Sequence, residues 1–230
     1  MADFESLLRS RRSLLRGSVA FALAMYYTPG AFAEQLAATP RLTDGQHYPD
    51  KLPLDKDNDL IIINDSTTPA VGTITQLSGR ILDAGGKPIK DAEVEIWQCD
   101  AKGVYLHTKD SVPNADKRDK NFQGYGQFLT ASTGEYRFRT IRPVAYNGRT
   151  APHIHLRVKK AGKELLTTQL FMAGFAGNRK DPVFAEVKDA LDRELICADF
   201  KPNKEAKGIE YIAKFDVIVG RTPADKDHAH

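Results

Sequence analysis

Cysteine is scarce in this chain: there are 2 among 230 residues, Cys99 and Cys197. Two thiols cannot build the multi-bridge framework of a small secreted scaffold. A chain this long can also bury a sufficient core without one. One disulfide and two buried free thiols are both open. An excess of one charge is missing too. Lys and Arg number 33 against 30 Asp and Glu, a net charge of +3. The two signs are interspersed, the reverse of a nucleic-acid-binding face, which needs clustered basic residues. The nearest approach to a basic cluster, Lys201, Lys204 and Lys207, reads as solvated surface. No apolar run reaches the roughly 20 residues that span a bilayer. Repeats, low-complexity tracts and the carboxylate motif of a zinc hydrolase are also lacking.

The first 33 residues read as an export signal. Ser10-Arg11-Arg12-Ser13-Leu14-Leu15-Arg16 precedes the apolar stretch from Gly17 to Met25, and Ala31-Phe32-Ala33 offers small residues two apart. A charged start, an apolar middle and a small-residue exit form the signal pattern. The arginine pair makes it similar to the twin-arginine type. The alternative is an amphipathic helix packed on the domain. The signal implies a periplasmic or extracellular protein, with no stable membrane insertion unless the signal stays uncleaved. Residues 34–72, rich in Pro, Asp and Asn, read as an N-terminal arm, with Leu60-Ile61-Ile62-Ile63 as a short strand. Residues 223–230, with His228 and His230, read as a mobile tail.

Between residues 73 and 222 strand signals recur at short intervals. Thr73 to Leu82 is one strand, ended by the Asp83-Ala84-Gly85-Gly86 turn. Ala92-Glu93-Val94-Glu95-Ile96-Trp97 alternates small or apolar residues with polar ones, the period of a strand with one buried face. Tyr136 and Phe138 alternate with Arg137 and Arg139 after the Ser132-Thr133-Gly134 turn. His153 to Val158 and Leu165 to Met172 flank the Ala161-Gly162-Lys163 turn, and Tyr211 to Val219 alternates as the last strand. One helix is expected: Asp181 can cap it, Pro182 suits its first turn, and Phe184, Val187, Leu191 and Leu195 follow helical spacing. Many short strands with one short helix predict an all-β sandwich, mostly antiparallel.

The sharpest local signal is His153-Ile154-His155. Residues i and i+2 of a strand share a face, so both imidazoles can reach one metal while Ile154 faces the core. By itself His-x-His is equally consistent with two histidines on an exposed strand. Tyr105 and Tyr146 sit near Gly- or Pro-containing turns, and tyrosine in a β protein is ordinarily a core or rim aromatic.

The stretches Asp91-Ala92-Glu93-Val94-Glu95-Ile96-Trp97-Gln98, Gly103-Val104-Tyr105-Leu106-His107, Tyr136-Arg137-Phe138-Arg139-Thr140-Ile141-Arg142-Pro143 and Pro152-His153-Ile154-His155 carry a family resemblance. Together they resemble the intradiol ring-cleavage dioxygenases, in particular the protocatechuate dioxygenase branch. The blocks stand in that family's order and at similar separations, and Thr168-Gln169-Leu170-Phe171 continues them. The resemblance implies a ferric ion held by Tyr105, Tyr146, His153 and His155, with Tyr105 and His155 equatorial and Tyr146 and His153 axial. It implies a catechol-type aromatic and O2 as substrates, and a muconate-type diacid as product. Phenolate, a hard anionic donor, suits a trivalent ion, whereas zinc prefers His, Cys or carboxylate. On this reading two phenolates and one hydroxide balance Fe(III). A catechol gives one proton to the hydroxide and one to Tyr146, and its catecholate takes the two vacated positions. The ligand charge is then unchanged in a dry site.

Gln169 matches a family position near the substrate, and could equally be a satisfied core amide. Family members place an arginine three residues before the first histidine, where it stabilises developing negative charge. Thr150 occupies that position here, and Arg149 lies one residue further away. Either a one-residue bulge restores Arg149 or another arginine substitutes. A non-catalytic, transthyretin-like sandwich binding a small ligand or a partner would show the same strands and the same Gly86-Lys87-Pro88 turn. It would not need the two tyrosines and two histidines together. A homo-oligomer is compatible with either reading.

The leader carries its own test. Replacing Arg11 and Arg12 with lysine is expected to hold the folded protein in the cytoplasm, as read by cell fractionation. Unchanged export of the double mutant rules out the twin-arginine route.

Overall fold

Fourteen short elements follow one another along the chain in a computed structural model that describes residues 36–146, 148–205 and 207–220. The expected export signal, residues 1–33, and the expected tail, residues 223–230, lie outside the described residues. Ten are strands, two to ten residues long: β1 (Ile74–Asp83), β2 (Ala92–Trp97), β3 (Tyr125–Leu129), β4 (Glu135–Ile141), β5 (His153–Lys160), β6 (Lys163–Met172), β7 (Cys197–Ala198), β8 (Phe200–Pro202), β9 (Tyr211–Lys214) and β10 (Val217–Val219). Between them lie α1 (Thr108–Ser111), a 3-10 turn (Asn178–Lys180), α2 (Pro182–Glu186) and α3 (Ala190–Glu194).

The strands form two five-stranded sheets. In the first, β1 pairs antiparallel with β4 on one side and parallel with β9 and then β10 on the other, and β8 borders β9. The second runs β3-β2-β5-β6-β7, antiparallel except for the last pair. The inner faces meet in one apolar core. Leu77 and Ile81 of β1 and Phe138 of β4 pack with Val94 and Ile96 of β2, Ile154, Leu156 and Val158 of β5, and Leu170 of β6. Each such side chain, fully buried, stabilises the fold by about 1.5–3 kcal/mol. The expected all-β sandwich is therefore the fold.

The strand bearing His153 and His155 is buried on both faces, because the outer face of the second sheet is also covered. Residues 39–50 cross it. Leu42 N–H donates to Thr167 O at 3.0 Å, and the Thr168 hydroxyl donates to Pro40 O at 2.8 Å. Beneath this cover, cross-strand register aligns Gln169, His155, Trp97 and Tyr125 in one row from β6 to β3.

Three details depart from the sequence reading. Leu60–Ile63 is not a strand. Asp57 accepts from Asp59 N–H at 2.8 Å and Asp59 accepts from Ile61 N–H at 3.0 Å. Such side-chain turns compete with ladder pairing, and the segment instead drops Leu60 and Ile61, both fully buried, into the core. The single expected helix is two: Val187 has ψ 105°, and Asp189 caps a second start at Leu191 N and Asp192 N. Phe184 and Val187 are buried but Leu191 is 70% exposed, so the helical stripe does not persist. The last strand is broken at Phe215-Asp216, where its parallel partner β1 carries Gly79. A Cβ on Gly79 would lie 1.8 Å from Phe215 O, so only glycine admits the chain there.

Because Leu60 belongs to the main core, Leu60→Ala is expected to cost about 2–5 kcal/mol. Chemical denaturation measures it. A loss under about 1 kcal/mol, typical of a surface change, would place residues 57–63 outside the cooperative core.

Candidate metal centre

The register of β5 sets the two histidines. Both project to the outer face of the second sheet, and each is 1% exposed. His153 has its tautomer assigned by its neighbour: Nδ1 lies 2.8 Å from Ala151 O, so it carries the proton and donates. Nε2 is thereby left as an acceptor, 3.4 Å from the Tyr105 hydroxyl and turned toward the other rings. His155 stacks on the Trp97 indole at 4.9 Å between centroids and 10° between planes. On another side it meets Gly45, where an added Cβ would lie 3.1 Å from Cε1. Gly45 has φ +72°, a conformation that suits glycine and lets the arm lie on the ring. Neither nitrogen of His155 has a hydrogen-bond partner.

Tyr105 follows a tight turn. Asp100, 1% exposed, accepts from Lys102 N–H and Val104 N–H, and Gly103 has φ +82°. Asp110 of α1 then accepts Tyr105 N–H at 2.6 Å. Tyr146 comes from the loop after β4, where Tyr146 and Arg149 exchange backbone hydrogen bonds across a turn. The four rings converge. Centroid distances are 4.9 Å for His153–His155, 5.1 Å for Tyr105–Tyr146, 5.5 Å for Tyr146–His153 and 5.9 Å for Tyr105–His155.

Burial dominates the electrostatics. It holds the His153 pKa down at about 4, with Arg149 adding to the effect, and it holds His155 well below the usual range. Both imidazoles are therefore neutral at physiological pH, the protonation state in which a histidine ligates a metal. Burial raises the Tyr105 phenol well above its ordinary range and Cys99 and Tyr146 push the same way, while Arg149 opposes them. Tyr146 is raised less: burial lifts it, and the Tyr105 hydroxyl and Arg149 pull it back. A bound cation reverses that bias by stabilising phenolate. No three His, Cys, Asp or Glu gather into a metal-holding cluster among the described residues. A four-donor set built on His153 and His155 draws on Tyr105 and Tyr146, whose rings meet theirs. Two neutral imidazoles and two phenols, with His155 buried and unpartnered, fit a hard trivalent ion such as Fe(III).

Arg149 reaches this cluster and Thr150 does not. The Thr150 hydroxyl bonds Gly177 O at 3.0 Å on the exposed side. The Arg149 guanidinium meets Asp181 at two points and donates to Gln169 Oε1 at 2.7 Å. Gln169 in turn donates to Thr43 O at 2.8 Å, so its amide is hydrogen-bonded at both oxygen and nitrogen, and it lies beside His155 in the sheet. Cys99 and Cys197 are free thiols.

Two residues at the centre escaped the sequence reading. His47, from the arm, stacks on Tyr105 at 4.7 Å and 14°, and its Nδ1 is buried without a partner. Its segment has no periodic pattern that would have flagged it. Asp181 reads from sequence as a helix cap, and it is one, but its second role toward Arg149 has no local signal.

A profile of the dioxygenase family matches residues 44–219 of this chain. The protocatechuate 3,4-dioxygenase beta chain of Burkholderia cepacia is 34% identical over 161 residues, covering 65% of this chain and 67% of that one. Catechol 1,2-dioxygenase of Acinetobacter baylyi is 30% identical over 186 residues, covering 70% of this chain and 57% of that one. The chain thus spans from about half to two thirds of the length of the curated relatives it matches. Among solved structures, the dioxygenase domain of a dioxygenase–carbohydrate-binding fusion from Streptomyces sp. SirexAA-E has a TM-score of 0.60 at 25% identity, covering 81% of this chain and 100% of that one. Catechol 1,2-dioxygenase from Acinetobacter sp. ADP1 also has a TM-score of 0.60 at 25% identity, covering 92% of this chain and 70% of that one. With its sandwich fold and its ordered tyrosine and histidine blocks, the chain belongs to the intradiol ring-cleavage dioxygenase family.

Proposed function

We propose that this protein is a non-haem Fe(III) dioxygenase that splits a catechol-type ring between its two hydroxylated carbons with O2, giving a muconate-type diacid. The observation that carries the proposal is the convergence of Tyr105, Tyr146, His153 and His155, with both nitrogens of the buried His155 unpartnered. Family membership supports the reaction type, and relatives named for catechol, protocatechuate and hydroxyquinol support the substrate class.

The four side chains would hold the iron, Tyr105 and Tyr146 contributing charge and the histidines lone pairs. Ferric iron held there would supply Lewis-acid chemistry, drawing electron density from a bound catechol-type ring. The remaining tasks fall to the chain. Tyr146, the less buried and less strongly raised phenol, is the proton acceptor for an arriving catechol. Tyr105, 1% exposed and with its backbone N–H tied to Asp110, is the phenolate that stays. Arg149 faces negative charge that develops on the ring oxygens, and Gln169 orients Arg149 through its Oε1. The roof formed by residues 39–50 excludes water, which strengthens each of these interactions.

His153→Ala and His155→Ala are each expected to lose iron and activity together. Loss of an outer partner of a ligand already costs about 10–100-fold in metal affinity, so loss of the ligand should cost more. Metal analysis of the purified variants reads this directly, and full occupancy in both would refute the ligand set.

The tyrosines should behave differently from each other. Tyr105→Phe is expected to lose iron or the ability to activate catechol. Tyr146→Phe should keep some iron and bind catechol more slowly by about a hundredfold, the usual size of a lost proton acceptor. Stopped-flow absorbance under anaerobic mixing, with iron analysis of each variant, makes the comparison. Equal iron loss with equal binding rates would remove the division between a permanent and a departing phenolate.

A further inference from the structure

Asp181 is fully buried, and its carboxylate accepts from five donors. Two are the backbone N–H groups of Val183 and Phe184 at 3.1 and 3.2 Å, the ordinary work of a helix N-cap. A third is Ala151 N–H at 3.3 Å, two residues before His153. The other two come from Arg149: Nε to Oδ2 at 2.8 Å and Nη2 to Oδ1 at 3.0 Å. A cap needs one acceptor oxygen, and Ser, Thr or Asn would serve. The parallel, two-point grip on a guanidinium needs a carboxylate.

That grip bears on the displaced arginine. Arg149 stands one residue earlier than the family's arginine position, which Thr150 occupies here. Its backbone is fixed by the turn with Tyr146, and its side chain has several unconstrained bonds. Asp181 removes that freedom. With Nε and Nη2 committed to Asp181 and Gln169, the remaining guanidinium nitrogen, Nη1, is the one left to serve the Tyr146 side. There the charge of Arg149 is felt by Tyr105, Tyr146, His153 and His155 alike. Asp181 also offsets that charge, so the guanidinium is not a lone buried cation, which would be costly.

We infer that Asp181 is a positioning residue that acts through Arg149, clamping its guanidinium against Gln169 and toward Tyr146 in place of the arginine absent from position 150. This rests on the reading of Arg149 as the charge-stabilising group of the proposed ring cleavage. Asp181 itself touches neither substrate nor metal.

The test compares Asp181→Asn, Arg149→Gln and the double variant in the iron-loaded full chain. Asn keeps the cap and nearly the shape, but loses the charge and turns an amide donor toward Arg149. Iron content and thermal midpoint are read first, then kcat and KM with catechol, then the visible band on anaerobic catechol binding. Asp181→Asn is expected to keep its iron and lower kcat about a hundredfold, the usual size for one lost electrostatic donor, with little change in KM. The double variant should be no slower than Arg149→Gln alone, since both changes remove one interaction. The visible band of the catechol complex should shift alike in both single variants. Wild-type kcat in Asp181→Asn beside a slow Arg149→Gln, or additive losses in the double variant, would overturn the role of Asp181 while leaving Arg149 intact. Wild-type kcat in Arg149→Gln would overturn the reading of Arg149, and the clamp with it. Should Asp181→Asn fail to fold, Arg149→Lys carries the same question, because lysine keeps the charge but cannot meet a carboxylate at two points. A loss matching Arg149→Gln then supports the clamp, and wild-type kcat overturns it.

Discussion

His155 lies at 1% exposure between the Trp97 indole and the backbone of Gly45, with neither ring nitrogen hydrogen-bonded to the chain. A buried polar group left unpaired costs about 1–3 kcal/mol, and natural structures seldom leave one without a reason. A cation that accepts a lone pair from one nitrogen converts that cost into a ligand bond. The surroundings then follow. The imidazole must be neutral, which burial ensures. Its ring plane must be fixed, which the indole does. Its approach must be closed to water, which the arm does by bringing Gly45 down onto it.

The closure depends on the second sheet being buried on both faces. Its inner face joins the common core through Ile154, Leu156 and Val158, so β5 cannot tilt or slip without emptying that core. A one-residue slip would exchange the histidines for isoleucine and leucine. The outer face is made dry by residues 39–50, which are tied to β6 at Thr167 and Thr168. Along that face charges are paired before they reach the centre. Glu95, 1% exposed, takes Lys159, Tyr125 and Tyr48, while Arg157 lies over the rings of Tyr48 and Trp97. Asp181 does the same for Arg149.

Local rules reached far in this chain. Period-two alternation marked the strands, because a strand with a face in the core repeats apolar residues at every second position. Asp181-Pro182 marked a helix start, and the glycine turns fell where positive φ occurs, as at Gly86 and Gly134. His153-Ile154-His155 put two imidazoles on one face for the same geometric reason. Where local rules failed, a side chain had taken over the backbone. Asp57 and Asp59 turned Leu60–Ile63 from a strand into a plug, Asp189 restarted a helix, and Asp216 accepts Arg80 N–H at the break in the final strand.

The sequence by itself determined the strand pattern, the sharing of one face by two histidines, and the order of blocks that the family shares, since each is written in residues close together along the chain. Only the tertiary structure decided what meets at that face. Tyr105 and Tyr146 arrive on separate loops, His47 and Gly45 on the arm, and Asp181 from beyond β6 to hold Arg149 in the place where Thr150 does not reach. None of those meetings has a periodicity. They arise because core packing fixes the sheet, and the loops and arm must then satisfy the polar groups they bury against it.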